Sequence, residues 1–499
     1  MNIPTANRIA HHSSFGLSCI LNFLLFLGIL HWVGTEPTPT PPGQIFKSIV
    51  NDEPPKEIFE PTPEFKVEDP VQTGLNTFTT TCMLPDQYTQ TPDFPGPESA
   101  TPPPVAKPLY VTTVSDIKLE GIYTDRGKGG REKAVAKYLP PSVATYSEPS
   151  VVKALDWLKA HQHENGSWTQ TGSLNGGGSN AGYTGLALLT FLAHGETPAS
   201  EKYGRTVANG IRFLVEHQDA NGVFQPAGSH TAYGHAIATY AMAEAYLMTE
   251  NPLLRAPLER GVTVIMKGQM SNGGFDYEYK RENRNDLSLG AWHVQALKAV
   301  SMTDVADEKL KQHLQWAMDG MLLGSKKTEG GGRGFTYTVT NEKVEAPRRI
   351  ISSAGTLGLF LSGRGKSREA RESIKFIDRF CESDQLPRWG NAELNPEHGG
   401  EIMFWYYTVQ AFFQEDPEGR QFKKFVSAMV TELARNQEED GRWIGFTDKG
   451  IHQGPVFNTT LGALSLMTCY RYNVGQGKEI KPVSIPANTQ NKDDVVFEI

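Results

Sequence analysis

Between residues 147 and 473 two kinds of apolar segment alternate. In the first kind, such as 204–217 and 369–380, apolar residues recur at helical spacing on one side and charges fill the other. The second kind is apolar on nearly all faces: 181–192 (AGYTGLALLTFL), 232–248, 287–302, 350–361, 402–413 and 457–470. One-sided patterns predict outer helices exposed along one face, and all-round patterns predict buried inner helices. In the first outer segment Ser147 is placed to cap a helix with Glu148 and Pro149 in its first turn, followed by Val151, Val152, Leu155 and Leu158 at helical spacing.

Each outer segment ends in a loop with a shared skeleton. Residues 161–168 read HQHENGSW, with Gln162, Gly166 and Trp168 as the retained frame. The frame returns as Gln218, Gly222 and Phe224, as Gln269, Gly273 and Phe275, and as Gln437, Gly441 and Trp443. Looser copies surround Phe335 and Trp389, so an aromatic recurs every 51 to 60 residues. A self-similarity of this period is a repeat architecture. The histidines and the glutamate of the first copy are not kept in the others, so only Gln, Gly and the aromatic belong to the repeat. Glycine supports a positive-φ turn after a helix end, glutamine satisfies orphan backbone groups there, and the aromatic covers the joint. Six outer–inner hairpins predict an all-α, closed (α/α)6 toroid over 147–473, since closure removes the end faces an open stack must cap.

The segments outside the repeats divide clearly. Residues 1–14 are polar and basic, and 15–33 (FGLSCILNFLLFLGILHWV) are 19 mostly apolar residues without a formal charge. That length suits one transmembrane helix. Basic residues before it and acidic residues after it predict a cytoplasmic N-terminus, with everything from residue 34 on the exported, periplasmic or extracellular side. A cleaved signal peptide is the competing reading, but no small-x-small cleavage site follows. Residues 34–107 form a Pro-rich linker without a packed core. Residues 108–146 are expected to be an extension packed on the toroid, with one or two short strands near 109–123 and a solvated basic loop around 126–137. The tail, 474–499, has little periodicity.

A net charge of −8 argues against a general nucleic-acid binder. Cys19, Cys82, Cys381 and Cys469 are too scattered for a zinc knuckle or a disulfide framework. Residues 326–334 (KKTEGGGRG) read as a flexible basic loop in the fourth repeat.

The Gln-x-x-x-Gly-x-Trp skeleton on alternating inner and outer helices resembles the squalene cyclase and prenyltransferase superfamily of toroids, over roughly residues 147–473. That resemblance implies the fold, while each activity known on it lacks its central residues here. The acidic DxDD motif of class II terpene cyclases does not occur within the repeats; Asp493 and Asp494 lie in the tail. The Asp-x-Cys pair of prenyltransferase zinc sites is missing, and Asn458 stands where a zinc-binding histidine is implied. The Cys-Gly-Glu-Gln run of thioester proteins is matched only by Gly400 and Glu401. No metal or other cofactor is therefore expected.

The mouth of such a toroid is lined by residues near the starts of the inner helices. These are Tyr183, Tyr233, His235, Asp286, His293, Arg348, Arg349, His398, Glu401, Trp405, Tyr406 and Asn458. Aromatics with a few convergent polar groups describe a ligand site. Asp286 and Glu401 form a candidate acid–base pair with His235 or His293, and Arg348 with Arg349 a candidate anion site. The expectation is a membrane-anchored toroid that binds a peptide, glycan or lipid without catalysis. The alternative is an enzyme of terpenoid cyclase, prenyltransferase or polysaccharide lyase type, and a third reading is a structural envelope component.

Overall fold

Twelve helices of the repeat region form two concentric layers in a computed structural model. It describes residues 121–169, 180–224, 231–281, 284–340, 345–382, 386–390, 401–445 and 454–472. The candidate anchor at 15–33, the Pro-rich linker, residues 109–120 of the strand region expected at 109–123, His398 and the tail lie outside the described residues, and 121–123 belong to a 3-10 turn rather than a strand. No helix among the described residues is long and apolar enough to cross a membrane.

A 3-10 turn, Gly121–Arg126, leads into α1, Lys128–Tyr138. The outer layer is α2 (Pro141–Ala160), α4 (Gly204–Glu216), α6 (Arg255–Gly268), α8 (Glu308–Leu322), α10 (Arg368–Ile377) and α12 (Arg420–Arg435). The inner layer is α3 (Asn180–Ala193), α5 (Thr231–Thr249), α7 (Leu287–Val300), α9 (Arg349–Leu361), α11 (Glu401–Glu415) and α13 (Gly454–Leu466). A last turn, α14, is Thr468–Arg471. Each inner helix packs on the next, α13 returns to α3, and α12 packs on α2, so the ring is closed.

Burial follows the sequence pattern. On α5 almost every residue from Thr231 to Met248 is buried, whereas α10 buries Ala370, Ser373, Ile374 and Ile377 along one stripe. Ser367 caps α10 by accepting from the Ala370 N–H, with Glu369 in the first turn and Lys375 in the last.

The joints between hairpins are built from the repeated loop residues. The Gln162 amide donates to the carbonyls of Gly166 and Thr206, each at 3.0 Å. Gln218 bridges Gly222 and Pro257, and Gln269 bridges Gly273 and His313, in the same way. One end of every bridge is the loop and the other is the next outer helix. Gln437 completes the circle, donating to Gly441 and to Ser150 of α2, both at 2.8 Å. Glycine is needed for two reasons at once. Gly273 has φ +84°, and a Cβ there would sit 2.0 Å from the Trp316 carbonyl oxygen. Gly441 has φ +98° and would meet the Lys153 oxygen at 2.2 Å. The aromatics seal the joints: Trp168 and Trp443 are fully buried, and their indole N–H groups donate to the Leu158 and Leu433 carbonyls.

Three local expectations are corrected. Ser147 is not a cap, because α2 begins six residues earlier with Pro141 in its first turn; the Ser147 hydroxyl instead donates to the Leu466 carbonyl. The stretch 126–137 is a helix rather than a solvated loop, and Arg126 at its start has no exposed surface. Residues 326–334 lie in a β-hairpin, β2 (Ser325–Lys327) against β3 (Arg333–Phe335), with Lys326 opposite Gly334. A second antiparallel pair joins β1 (Asn285–Asp286) to β4 (Thr338–Val339), with Asp286 opposite Thr338. Cys381 and Cys469 are buried free thiols.

Candidate functional site

The two ends of the ring differ. In the C-terminal half of α5, Glu244 pairs with Arg126 close to Arg471, all three without exposed surface, so this side is filled. Trp292, Trp405, Tyr406 and Tyr407, in the first halves of α7 and α11, are no more than 2% exposed. The Tyr406 hydroxyl donates to Gln295 Oε1 at 2.8 Å and accepts from Arg471 Nη1 at 3.2 Å. Trp405 and Tyr406 are thus interior residues rather than residues of the mouth.

The opposite end, where α7 and α9 begin, holds an open cluster. Asp286 closes β1 and caps α7, its Oδ1 accepting from the Ser288 N–H at 3.0 Å and the Ser288 hydroxyl at 2.5 Å. Tyr233, from the first turn of α5, hydrogen-bonds the same Ser288 hydroxyl. The Arg284 guanidinium lies 3.4 Å from Asp286 Oδ2 and 5.2 Å from the Tyr277 ring centroid. Tyr277 and Tyr337 touch through their hydroxyls at 3.1 Å, and the Arg348 guanidinium lies 5.0 Å from the Tyr337 ring centroid. Two Arg–Tyr pairs therefore meet phenol to phenol, each at a distance where the ring face attracts the cation. Arg284, Tyr337 and Arg348 line a cavity of about 390 Å³ together with Thr338, Thr340 and Glu345, and Tyr277 touches it through the Tyr337 hydroxyl.

Glu345 is the carboxylate of this wall. Its Oε1 accepts from the Thr338 hydroxyl at 3.2 Å, and Oε2 lies 4.0 Å from Arg348 Nη2 without a hydrogen-bond partner. Thr338 pairs with Asp286 across the short sheet, and Glu345, outside the strands, reaches that sheet through the Thr338 hydroxyl. Burial, and then the Asp286 charge, raise the Tyr233 and Tyr277 phenols above their ordinary range. Both are hydrogen-bond donors at neutral pH. Burial lifts Tyr183, on the first turn of α3, to about 12.

The histidines have other work. In three repeats the backbone N–H of the joint aromatic donates to an inner-helix hydroxyl: Trp168 to Thr184 Oγ1, Phe335 to Ser352 Oγ, and Trp443 to Thr459 Oγ1. In the second repeat Phe224 donates instead to His235 Nδ1 at 3.1 Å, and His235 Nε2–H reaches the Gly261 carbonyl. His235 stands where those three repeats use a hydroxyl. His293 stacks on Phe275 with centroids 3.8 Å apart, bonds the Leu289 carbonyl, and meets the Tyr279 hydroxyl at 2.8 Å. Burial pushes His235 down to about 4 and His293 to about 3, so both are neutral. Neither is bonded to Asp286, which instead meets Ser288, the Leu289 N–H, Arg284 and Tyr277. Arg349 turns from Arg348 and lies 4.8 Å from the Phe404 ring centroid, so the two cations do not make one site. Glu401 opens α11, and Asn458 is a buried residue of α13. Among the described residues no group of three or more His, Cys, Asp and Glu side chains is placed to hold a metal ion.

Sequence reasoning selected Tyr233, Asp286 and Arg348 but missed Tyr277, Arg284, Ser288, Tyr337 and Glu345. All but Ser288 lie in the irregular segments before α7 and α9, where periodicity carries no signal.

The architecture is an α/α toroid with one filled end and one open, aromatic end. Residues 135–254 match the model of the squalene-hopene cyclase C-terminal domain family, and over that stretch the chain resembles the terpenoid-cyclase-like toroids. No curated protein matches the chain. Among solved structures it is similar to the GH76A α-1,6-mannanase from Salegentibacter sp. HEL1_6, at 12% identity over 65% of this chain and 98% of that one, with a TM-score of 0.49. An inactive variant of that mannanase in complex with α-1,6-mannotriose gives 12% identity, 65% and 99% coverage, and a TM-score of 0.45. A novel α-amylase from Clostridium perfringens gives 12% identity, 64% and 97% coverage, and a TM-score of 0.47.

Proposed function

We propose that the open end of the toroid binds a carbohydrate. The observation that carries this reading is the wall made by Tyr277 and Tyr337, joined through their hydroxyls and backed by Arg284 and Arg348. Aromatic surface beside donors and a carboxylate suits a ligand that is itself part apolar and part hydroxyl. A cavity of about 390 Å³ is within the usual size for a small-molecule site. The filled end and the missing DxDD motif disfavour a terpenoid ring system seated in the barrel. The apolar run at 15–33 supports presentation of the toroid on the exported side of a membrane, where carbohydrate polymers are met.

The test is binding of neutral and acidic oligosaccharides to the full chain, read by calorimetry. Tyr337→Ala should weaken any hit by about 1–3 kcal/mol, the burial value of a large apolar side chain. If no oligosaccharide binds, or Tyr337→Ala leaves every hit unchanged, the mouth is not the site.

A second reading, cleavage of the bound sugar, is favoured by Glu345. Glu345 lines the cavity, one of its oxygens is anchored by Thr338, and the other is buried without a hydrogen-bond partner, leaving it free to take or give a proton as a general acid or base does. Under this reading Glu345→Gln slows turnover of a bound sugar by about 10²–10⁴-fold with little change in binding. Equal rates in the variant and the parent would exclude it.

A further inference from the structure

We infer that the carbohydrate taken by this mouth is acidic, bearing a carboxylate or a sulfate that Arg284 and Arg348 grip together. This rests on the carbohydrate reading and names the substrate class within it. Among the described residues of the cavity wall, Arg284, Arg348 and Glu345 are of the charged types. Two are cations and one is an anion, so the wall carries a surplus positive charge. Asp286 does not cancel it at the cavity surface. Its side chain has no exposed area, and its Oδ1 is spent on the start of α7.

The two guanidinium groups are also underused. Among the described residues the Arg348 side chain makes no hydrogen bond; Glu345 Oε2 is 4.0 Å away, beyond hydrogen-bond reach. Arg284 makes one long contact, 3.4 Å to Asp286. Their side chains are 41% and 50% exposed, so most of their donors face the opening. Arginines that served only the fold would carry bonds like those of Arg364, which holds Gln315 and Asp319 with all three nitrogens. Each rim arginine is instead steadied by a tyrosine face, which fixes the plane of the guanidinium and leaves its edge free. A planar fork with a free edge is the group that matches a carboxylate or sulfate through two parallel hydrogen bonds. Between the two forks, Tyr277 is raised by burial and the Asp286 charge and stays a neutral donor, so it adds no opposing charge.

Binding of oligogalacturonate, its methyl ester, dextran sulfate and neutral dextran or mannan oligosaccharides to the full chain tests the inference. The expected result is tighter binding of oligogalacturonate or dextran sulfate than of any neutral sugar, by about tenfold or more. Methyl esterification of the first should remove that advantage, and raised salt should weaken it because the cations are half-exposed. Preference for one of the two acidic probes identifies whether carboxylate or sulfate is recognised. Arg348→Gln and Arg284→Gln should each reduce acidic binding to the neutral level. Should a neutral sugar bind as well as the acidic ones, with both variants unaffected, the acidic assignment is overturned and the carbohydrate reading stands. Should no sugar of either kind bind, both fail together. The ester comparison needs no variant and decides the matter even where a substitution harms folding.

Discussion

Arg126 Nη1 lies 2.9 Å from Glu244 Oε2, and neither side chain has any exposed surface. The pair ties the 3-10 turn ahead of the repeats to the inner helix α5, at the filled end of the ring. Arg471 joins them from the last turn: Arg126 Nε donates to its carbonyl at 2.9 Å, and its own Nη2 donates to Tyr240. Two buried cations thus face one buried carboxylate, and Arg126 Nη2 and Arg471 Nε have no partner. Burial alone would raise the Glu244 carboxyl, but the two guanidinium charges hold it below its ordinary value.

Replacing Glu244 by Gln leaves both cations uncompensated. We expect a loss of about 3–5 kcal/mol, the usual cost of breaking a buried pair from one side. Arg471→Met should cost less than Glu244→Gln, because it removes the surplus charge. Denaturant unfolding of the two variants, followed by tryptophan fluorescence, gives the order directly, and the reverse order would contradict this account.

His194 lies between two carboxylates, 2.8 Å from Glu196 and 2.9 Å from Glu148. Burial would lower its pKa, yet the hydrogen bonds to Glu148 and Glu196 hold it above the ordinary value. Glu148 and Glu196 are lowered in turn, against burial, mainly by their hydrogen bonds to His194. The histidine's contribution is full below its unfolded value of about 6.5 and is lost as pH rises through the raised folded value. The carboxylates contribute above their unfolded value of about 4.3 and lose this as pH falls through the lowered one. This cluster therefore stabilises most between those limits. In His194→Gln the decline of stability between about pH 6 and 8 should flatten. An unchanged slope in melting temperature against pH would assign the decline to other groups.

Gln437 makes the bond that closes the outer circle, to a carbonyl 287 positions earlier in the chain. Gln437→Glu keeps the size and replaces the donor with an acceptor facing two carbonyls. About 1–3 kcal/mol is expected for each carbonyl left unpaired. The Gln162→Glu change at an internal joint should cost a similar amount, since the two loops make the same pair of bonds. Calorimetric unfolding of both variants compares them; a silent Gln437→Glu would mean that the circle is held by its apolar contacts alone.

His235 belongs to a joint, so its loss should be felt as stability and not as ligand recognition. His235→Asn is expected to lower the unfolding midpoint, from the weakened bonds to Phe224 and Gly261, and to leave sugar affinity within about twofold. A large fall in affinity at unchanged stability would place the ring at the ligand.

Helices and joints were legible in the sequence because both repeat. The outer stripe of α10, the all-round burial of α5, and the Gln, Gly and aromatic of each loop recur in register along the chain. Irregular segments have no such redundancy. Arg126 reads as one more charge in a glycine-rich basic stretch, and only the closed ring brings it to Glu244. Tyr277, Tyr337 and Glu345 come together through the pairing of two-residue strands, too short to show alternation. His235 and His293 attract notice as chemistry, and the clue against them was positional: in three other repeats Thr184, Ser352 and Thr459 do the same job as His235.

The joint between Gln437 and Ser150 also bears on how the chain is made. Synthesis proceeds from the N-terminus, so the lip of α2 that receives Gln437 emerges from the ribosome nearly 300 residues before its partner. Until α12 arrives, the growing protein is an open crescent with apolar inner helices bare at both tips. Contacts of long sequence separation form slowly, and bare apolar edges associate with other chains in the meantime. The last hairpin thus sets the window in which the nascent protein most needs a chaperone, and chains truncated before residue 437 should aggregate rather than persist as shorter rings.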